Sequence, residues 1–198
     1  MERQRLLSAG GRALIAVGPV VLASAVLWLL VNHGSKGGSL TETPVPGTPV
    51  IVDRTDPGFT QPLISASSSV SLARYEGKVV VVNFWASWCT ACSTEASELE
   101  SLWKSYRGRG VQVVGVDYED RRNAAITFAR SHGMSYPSVF DPKGTVGDAY
   151  GIFGLPTTYI IGPDDRIRYV ITGKLRVASF RAALESILRA TAMTGSSR

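Results

Sequence analysis

The chain has 198 residues, of which 44% are hydrophobic and 19% are charged, and its formal net charge at pH 7 is +5. That charge divides into +2 from residues 1–12 and +3 from all later residues, where acidic and basic side chains are dispersed. Nucleic-acid binding requires a concentrated basic patch or stripe, so the composition argues against nucleic acid as a partner.

The first predicted element is a membrane-spanning helix over residues 13–31, a stretch of 19 residues without a charge. At 1.5 Å per residue this helix is about 28 Å long, which matches the hydrocarbon core of a bilayer. Three arginines precede it, whereas Lys36 is the only Lys or Arg in the twenty residues after it. The positive-inside rule therefore predicts a single-pass protein of the cell membrane, with residues 1–12 in the cytoplasm and the rest of the chain extracytoplasmic.

A cleaved signal peptide is the alternative for the same segment, because Ala23-Ser24-Ala25 resembles a small-residue cleavage site. Cleavage there leaves an apolar new terminus over residues 26–31, and the apolar run is longer than a usual signal-peptide core. These two observations favour a retained anchor. Both interpretations export the remainder of the chain.

The next segment, residues 32–58, is rich in Gly, Pro, Ser and Thr and has neither helical nor strand periodicity. This composition predicts a flexible linker. Residues 59–198 follow, and a segment of this length is enough for one domain with a hydrophobic core and too short for two.

Two cysteines lie where a predicted strand meets a predicted helix. Residues 79–84 are apolar except for one Asn, as a strand buried on both faces requires, and Cys89 and Cys92 follow. Further on, apolar side chains recur with helical spacing, which predicts a helix that begins close to Cys89; they are Leu99, Leu102, Trp103 and Tyr106. A helix N-terminus stabilises the thiolate, the form that attacks disulfides, so we expect Cys89 to be the nucleophile and Cys92 its more buried partner.

The cysteine count supports a redox function for this pair. The chain has only two cysteines, so any intramolecular disulfide joins Cys89 to Cys92. The alternative is half of a zinc site, but zinc needs four ligands and only His33 and His132 are available to supplement the cysteines. We therefore expect neither a metal site nor a cofactor.

The remaining pattern predicts an α/β domain. The strand at 79–84, the helix after Cys89 and a strand at 111–116 form a βαβ unit with parallel pairing. The later predicted elements are a helix at 121–131, a short strand at 139–140, an antiparallel hairpin of strands 157–161 and 167–172, and a closing helix around 180–188.

Three acidic residues at the end of the second strand, Asp117, Glu119 and Asp120, offer a metal site as one interpretation. The alternative is that Asp120 caps the helix that starts at residue 121 while the other two are solvated, and we expect this alternative.

Several segments resemble the thioredoxin-like superfamily, and within it the membrane-anchored group of TlpA, ResA and CcmG (DsbE). They are Val-Val-Asn-Phe-Trp-Ala-Ser-Trp-Cys-x-x-Cys at 81–92, Gly-Val-Gln-Val-Val-Gly-Val at 110–116 and Gly-Leu-Pro-Thr-Thr-Tyr-Ile-Ile at 154–161. The resemblance implies a thioredoxin-like fold, in which helices flank a central mixed β-sheet. It also implies an N-terminal β-hairpin within residues 59–72 and a central insertion made by the helix at 121–131 and the strand after it.

The resemblance also implies roles for individual residues. Pro156 corresponds to the cis-proline that lies against the Cys-x-x-Cys loop, and the backbone of Leu155 would then be free to pair with a substrate segment. Glu95 matches an acidic residue that ResA-like proteins carry three positions after the second cysteine. One helical turn from Cys92, its carboxylate would accept or return the proton of the buried thiol, although an acid in the first turns of a helix also simply complements its dipole. Trp88 is a candidate substrate contact, with plain packing as the alternative for Trp88 and for Trp85.

By resemblance the chain is a thiol-disulfide oxidoreductase that reduces apocytochrome c during cytochrome c maturation, with electrons from a membrane thiol donor. Thr90-Ala91 between the cysteines and Ser97 both stand where proline is common in the family, so the opposite direction, a disulfide donor to secreted proteins, stays open. Two other classes of protein agree less well with the sequence. The chain lacks the Pro-x-x-x-Thr-x-x-Cys motif of thiol peroxidases, because Val82 and Ala86 stand at the positions of its Pro and Thr. A copper-binding protein would need a wider cysteine spacing and an added histidine.

Overall fold

The computed structural model describes residues 45–195. They form one six-stranded mixed sheet, a separate two-stranded hairpin, four α-helices and two short 3-10 helices at Leu72–Tyr75 and Arg107–Arg109. The strands are β1 (Val50–Thr55), β2 (Thr60–Pro62), β3 (Ser69–Ser71), β4 (Val79–Trp85), β5 (Val111–Tyr118), β6 (Ser138–Asp141), β7 (Thr157–Ile161) and β8 (Arg166–Thr172). The helices are α1 (Thr90–Tyr106), α2 (Arg122–Ser131), α3 (Thr145–Tyr150) and α4 (Val177–Gly195).

The large sheet has the strand order β1-β8-β7-β4-β5-β6. Strand β4 lies in its interior, parallel to β5 and antiparallel to β7, and β5 is parallel to β6. The seven residues of β4 are all buried, as the run of valines predicts. The fold is thus the expected α/β arrangement, in which β4, α1 and β5 form a βαβ unit.

Successive residues of β4 point to opposite faces of the sheet and supply two cores. On one face, Val79 and Val81 pack with Leu99 and Leu102 of α1 and with side chains of α4. On the other face, the intervening apolar residues of β4 pack with residues that precede β4 and with α3; this set includes Val80, Val82, Phe84, Val70, Leu72, Val146 and Tyr150. Burying one such aliphatic side chain contributes about 1.5–3 kcal/mol, so the two cores hold β4 rigidly beneath the cysteine loop.

Two elements differ from the expectation. Residues 50–55 fall in the segment predicted as a flexible linker, but they form β1, which pairs antiparallel with β8 at the edge of the sheet. Most of β1 faces solvent, so its sequence shows no buried periodicity. Helix α3 was not expected, because six residues are too few to show a helical pattern.

The other predicted elements are present. The hairpin within residues 59–72 consists of β2 and β3, and the predicted helices and strands after residue 79 agree with the structure to within one to three residues at their ends, except that the closing helix continues seven residues beyond the predicted end at 188. Within residues 45–195 no helix is both long enough and apolar enough to cross a membrane. The predicted anchor at 13–31, residues 1–12 and the first part of the predicted linker lie outside the described residues.

Candidate active site

The two cysteines form a disulfide at the N-terminus of α1, with their Cα atoms 5.3 Å apart. Cys89 is the N-cap residue, in an extended conformation with φ −87° and ψ 106°, and Cys92 lies within the first helical turn. Cys89 is 8% exposed and Cys92 is 2% exposed. The order of burial agrees with the prediction that Cys89 is the outer residue and Cys92 the inner one.

The backbone of α1 is arranged to stabilise negative charge on Cys89. The N–H of Cys92 donates a hydrogen bond to Cys89 Sγ at 3.1 Å, so the sulfur occupies the place of the usual oxygen cap. The first N–H groups of a helix have no partner within the helix, and the helix dipole adds a partial positive charge at the same end. After reduction of the disulfide, these groups favour a thiolate at Cys89.

The loop that carries Pro156 packs, through Leu155, against the side-chain cluster that contains the cysteine pair. The Leu155–Pro156 peptide bond is cis, as the resemblance implied. The Leu155 side chain packs against the cluster that contains Cys89, Cys92 and Trp85. Two hydrogen bonds fix the loop: Gly173 N–H donates to Pro156 O at 2.8 Å, and Thr157 Oγ1 donates to Gly154 O at 2.7 Å.

The backbone N–H and C=O of Leu155 make no hydrogen bond to any of the residues 45–195. A free donor and acceptor next to a sheet can add an extended peptide by backbone pairing. This is the arrangement that the resemblance implied for substrate binding at Leu155.

Glu95 lies one helical turn after Cys92 and is only 2% exposed. Its Oε1 accepts a hydrogen bond from Asn83 Nδ2 at 2.8 Å, and its Oε2 accepts one from the N–H of Leu175 at 2.6 Å. Asn83 also donates to Thr158 Oγ1 at 2.9 Å. The acid on α1 and the amide on β4 are therefore direct hydrogen-bond partners.

Burial raises the pKa of the Glu95 carboxyl from 4.5 to about 7, and the two hydrogen bonds only partly oppose this shift. A carboxyl with this pKa takes up and releases protons near neutral pH. The simpler alternative, an acid that complements the helix dipole from the surface, does not describe a side chain this deeply buried.

The two tryptophans around the cysteine loop differ. Trp85 is buried and its ring stacks on that of Phe128 with 4.9 Å between the centroids, so its role is packing. Trp88 is 59% exposed and is held by one hydrogen bond, from its Nε1 to Glu119 O at 3.3 Å. Packing in the core is thus the wrong interpretation for Trp88, which presents its ring to solvent next to Cys89.

Sequence reasoning missed Phe153, which is fully exposed two residues before Leu155. The only signal available was its place in the loop that leads to Pro156, in Gly-Ile-Phe-Gly-Leu-Pro. Trp88 and Phe153 are two of the few large hydrophobic side chains exposed within the described part of the chain.

The acidic residues at the end of β5 and just after it correct two expectations. Asp117 is fully buried rather than solvated, and neither of its carboxylate oxygens has a hydrogen-bond partner among residues 45–195. Burial, together with repulsion from Asp120, raises the pKa of Asp117 to about 8. Among residues 45–195 no group of His, Cys, Asp and Glu is arranged to hold a metal ion.

Asp120 does not cap α2, because the helix begins one residue later than predicted and its N-cap is Arg121. Its carboxylate instead accepts hydrogen bonds from the N–H of Arg121 and from the N–H of Ser87, each at 2.6 Å. Asp120 therefore ties the loop before Cys89 to the end of β5.

Comparisons with known proteins agree with this geometry. Residues 52–170 match the model of the AhpC/TSA family. The thiol-disulfide oxidoreductase ResA of Bacillus subtilis (strain 168) is 34% identical over 106 residues, which are 54% of this chain and 59% of that protein. The thiol:disulfide interchange protein DsbE of Allochromatium vinosum is 28% identical over 179 residues, which are 89% of this chain and 92% of that protein.

A solved structure shows the same fold. The DsbF homologue from Corynebacterium diphtheriae superimposes with a TM-score of 0.64 at 25% identity, and the match covers 73% of this chain and 96% of that one. The match to ResA thus spans about three fifths of its relative, whereas the matches to DsbE and to the DsbF homologue span nearly the whole of theirs.

Proposed function

This chain belongs to the AhpC/TSA family, and from that premise we propose that it is a thiol-disulfide oxidoreductase that reduces disulfides in partner proteins on the outer side of the cell membrane. One observation carries the proposal. The only two cysteines of the chain are paired at the N-terminus of α1, where Cys89 Sγ accepts the Cys92 N–H, and Leu155 of the cis Leu155–Pro156 bond packs against the cluster that contains them. The relatives named ResA and DsbE support the same chemistry.

The reaction begins from the dithiol protein. The Cys89 thiolate attacks one sulfur of the partner disulfide, a new S–S bond forms between Cys89 and the partner, and the other partner sulfur leaves as a thiolate. The Cys92 thiolate then attacks Cys89 Sγ and displaces the partner's remaining sulfur. The partner gains two electrons and becomes a dithiol, while this chain is oxidised to the Cys89–Cys92 disulfide.

Glu95 is the proposed proton acceptor for the second step. The Cys92 thiol must lose its proton before it attacks, and Cys92 is too buried for ready exchange with water. A carboxyl one turn away with a pKa of about 7 accepts that proton at neutral pH and returns it when the disulfide is reduced again.

The biological setting is part of the proposal. The resemblance to ResA and CcmG suggests apocytochrome c as the partner and a membrane thiol transporter as the electron donor. The apolar residues 13–31 would hold the domain at the membrane where both are found. Trp88, from the loop before Cys89, and the loop of Leu155 and Pro156 would together receive the partner's disulfide-bearing segment.

Trapping tests the reaction and its partner together. Replacement of Cys92 by Ser removes the resolving thiol, so Cys89 should remain in a mixed disulfide with the partner, which non-reducing electrophoresis and mass spectrometry would identify. The matched variant Cys89→Ser should capture nothing. Capture by Cys89→Ser instead of Cys92→Ser would mean that the roles of the two cysteines are reversed.

The direction of electron flow is tested by the reduction potential. We expect a value nearer to that of thioredoxin, about −270 mV, than to that of DsbA, about −120 mV. A value close to that of DsbA would favour the alternative, in which the chain donates its disulfide to secreted proteins.

The residue at position 86 argues against a thiol peroxidase activity. Ala86 is buried beside the cysteine loop where that family's motif has threonine, so no hydroxyl is available there to orient a peroxide. Rapid peroxide consumption with dithiothreitol as donor would contradict this conclusion, and tight stoichiometric copper binding would favour the copper-protein alternative.

A further inference from the structure

A cleft with a volume of about 420 Å³ lies beside the loop that carries Pro156. Its lining comes from three parts of the fold: the edge strand β1, strands β7 and β8, and residues 150–153 of the chain before Pro156. Thr157, which follows Pro156, also lines it. The cleft therefore adjoins the place where the candidate active site leaves the Leu155 backbone unpaired.

Part of the cleft lining is apolar. Val52, Ile152 and Val170 are half-buried in it, and Phe153 projects fully into solvent at its border. A single exposed aromatic ring is ordinary on a protein surface. Here the ring adjoins an apolar cleft and lies two residues from Leu155, so a chain that pairs with Leu155 would meet both.

The same cleft contains the positively charged side chain of Arg54. The Arg54 side chain is exposed, its Nη2 donates to Tyr150 O at 2.6 Å, and its guanidinium lies 5.6 Å from the centre of the Tyr159 ring. Within residues 45–195 Arg54 forms no ion pair, whereas its neighbours Arg166 and Arg168 both pair with Asp53.

Asp56 is the acid that faces Arg54, but it accepts the hydroxyl of Tyr150 and forms no ion pair with Arg54. A guanidinium has five N–H donors, and within residues 45–195 that of Arg54 donates to the neutral Tyr150 carbonyl and interacts with the side chain of Tyr159. Free donors therefore remain for a carboxylate from outside the molecule.

We infer that this cleft is a second recognition site for the disulfide-bearing partner: an extended partner segment that pairs with Leu155 continues over Phe153, places an apolar side chain in the cleft and sets a carboxylate on Arg54. The inference rests on the proposed function and specifies the partner's chemistry. An extended chain advances about 3.3 Å per residue, so the acid lies within about two to five residues of the partner cysteine.

Synthetic peptide disulfides provide the test. Each peptide carries one Cys-x-x-Cys disulfide with a Leu on either side of it. In each peptide, one test position two to five residues before or after the disulfide is Asp, Asn or Lys. The measured quantity is the second-order rate constant for oxidation of the prereduced full-length chain by each peptide. The neutral bis(2-hydroxyethyl) disulfide serves as the control substrate, because it is too small to reach the cleft.

We expect the best Asp peptide to react about three to five times faster than its Asn counterpart, and the Lys peptide to react more slowly still. Arg54→Gln should abolish this preference and Arg54→Lys should keep most of it. Phe153→Ala should slow every peptide about tenfold and leave the small disulfide unaffected.

Two matched variants serve as controls. Arg130→Gln removes one positive charge on α2, outside the cleft, and Ile51→Ala removes an exposed apolar side chain of β1 that lies outside the cleft lining. Both should behave as the wild type does. If the acid preference is absent in the wild type or persists in Arg54→Gln, or if Phe153→Ala slows the small disulfide equally, the inference is wrong. If the wild type fails to react with the small disulfide at all, the proposed function itself is wrong.

Discussion

The Glu95 carboxyl, buried between Asn83 and the Leu175 N–H, links the chemistry of the site to the stability of the fold. Its pKa is 4.5 in an unfolded chain and about 7 in the folded one. Below pH 4.5 the Glu95 carboxyl is protonated in both the folded and the unfolded state, so it does not lower the free energy of unfolding. Between pH 4.5 and 7 the unfolded chain ionises while the folded one keeps its proton, so stability falls as the pH rises through this range.

The first prediction follows from this sign. A shift of about 2.5 units corresponds to about 3 kcal/mol. Relative to the wild type, Glu95→Gln should therefore gain about 3 kcal/mol in unfolding free energy between pH 4.5 and 7.5, measured by urea denaturation of the oxidised proteins. Glu76→Gln, which changes an exposed carboxyl, should follow the wild type at every pH. Parallel curves for Glu95→Gln and the wild type would contradict the assigned environment.

The burial of Asp117 could not be predicted from the local sequence pattern. The sequence places it at the end of β5 among other acids, which is ordinary for a solvated loop. Its burial arises because β6 pairs with β5 at this point, opposite Phe140, while β4 pairs on the other side through Trp85. Those contacts join segments far apart in sequence, so neither composition nor spacing indicates that the carboxyl is enclosed.

At the scale of elements, the most predictable features were those fixed by local pattern. The apolar run of β4, the 3.6-residue repeat of α1 and the turn between β7 and β8 each carry their own signal, and the structure contains all three. Strand β1 carries none, because an edge strand exposed along most of its length needs no alternating pattern. The cis bond before Pro156 came from the resemblance, since sequence alone favours trans.

Strand β1 also moves the expected start of the domain. The second prediction is that a chain beginning at residue 56 is less stable than one beginning at residue 45 by about 2 kcal/mol or more. The shorter chain loses the β1–β8 hydrogen bonds and two backbone bonds of Gly47, whose N–H donates to Thr172 O at the end of β8 and whose C=O accepts from the N–H of Arg176. Urea denaturation of the two truncated proteins measures the difference. Equal stability would mean that residues 45–55 belong to the linker after all.

Helix α1 contributes reactivity to Cys89 through its N-terminus. The third prediction is that, in the dithiol protein at pH 6.5, iodoacetamide alkylates Cys89 at least about tenfold faster than it does in the urea-unfolded chain. Cys92 should be alkylated far more slowly, because it is buried. Mass spectrometry of the peptide that contains both cysteines assigns the label. Preferential labelling of Cys92 in the folded protein would contradict the proposed order of attack.

The whole molecule combines an apolar segment, a polar linker and a domain that contains both cysteines. Since no other thiol exists in the chain, a cysteine reagent reports only on the domain. The fourth prediction uses this fact to test the proposed location. In intact cells, after mild reduction, a membrane-impermeant maleimide should label the chain fully, and permeabilisation of the cells should add no further label.

A variant that lacks residues 1–31 is the matched control, because it keeps the domain and both cysteines but loses the apolar segment. It should be labelled only after lysis of the cells. It should also be absent from the membrane fraction, whereas the full chain should stay in that fraction after a carbonate wash. If the wild type also needs permeabilisation, the extracytoplasmic location is wrong. If the wild type is labelled in intact cells but is released by carbonate with a new terminus after Ala25, the apolar segment is a cleaved signal peptide. The domain then reaches the same side of the membrane without being held there, so a membrane-bound electron donor would have to capture it by affinity alone.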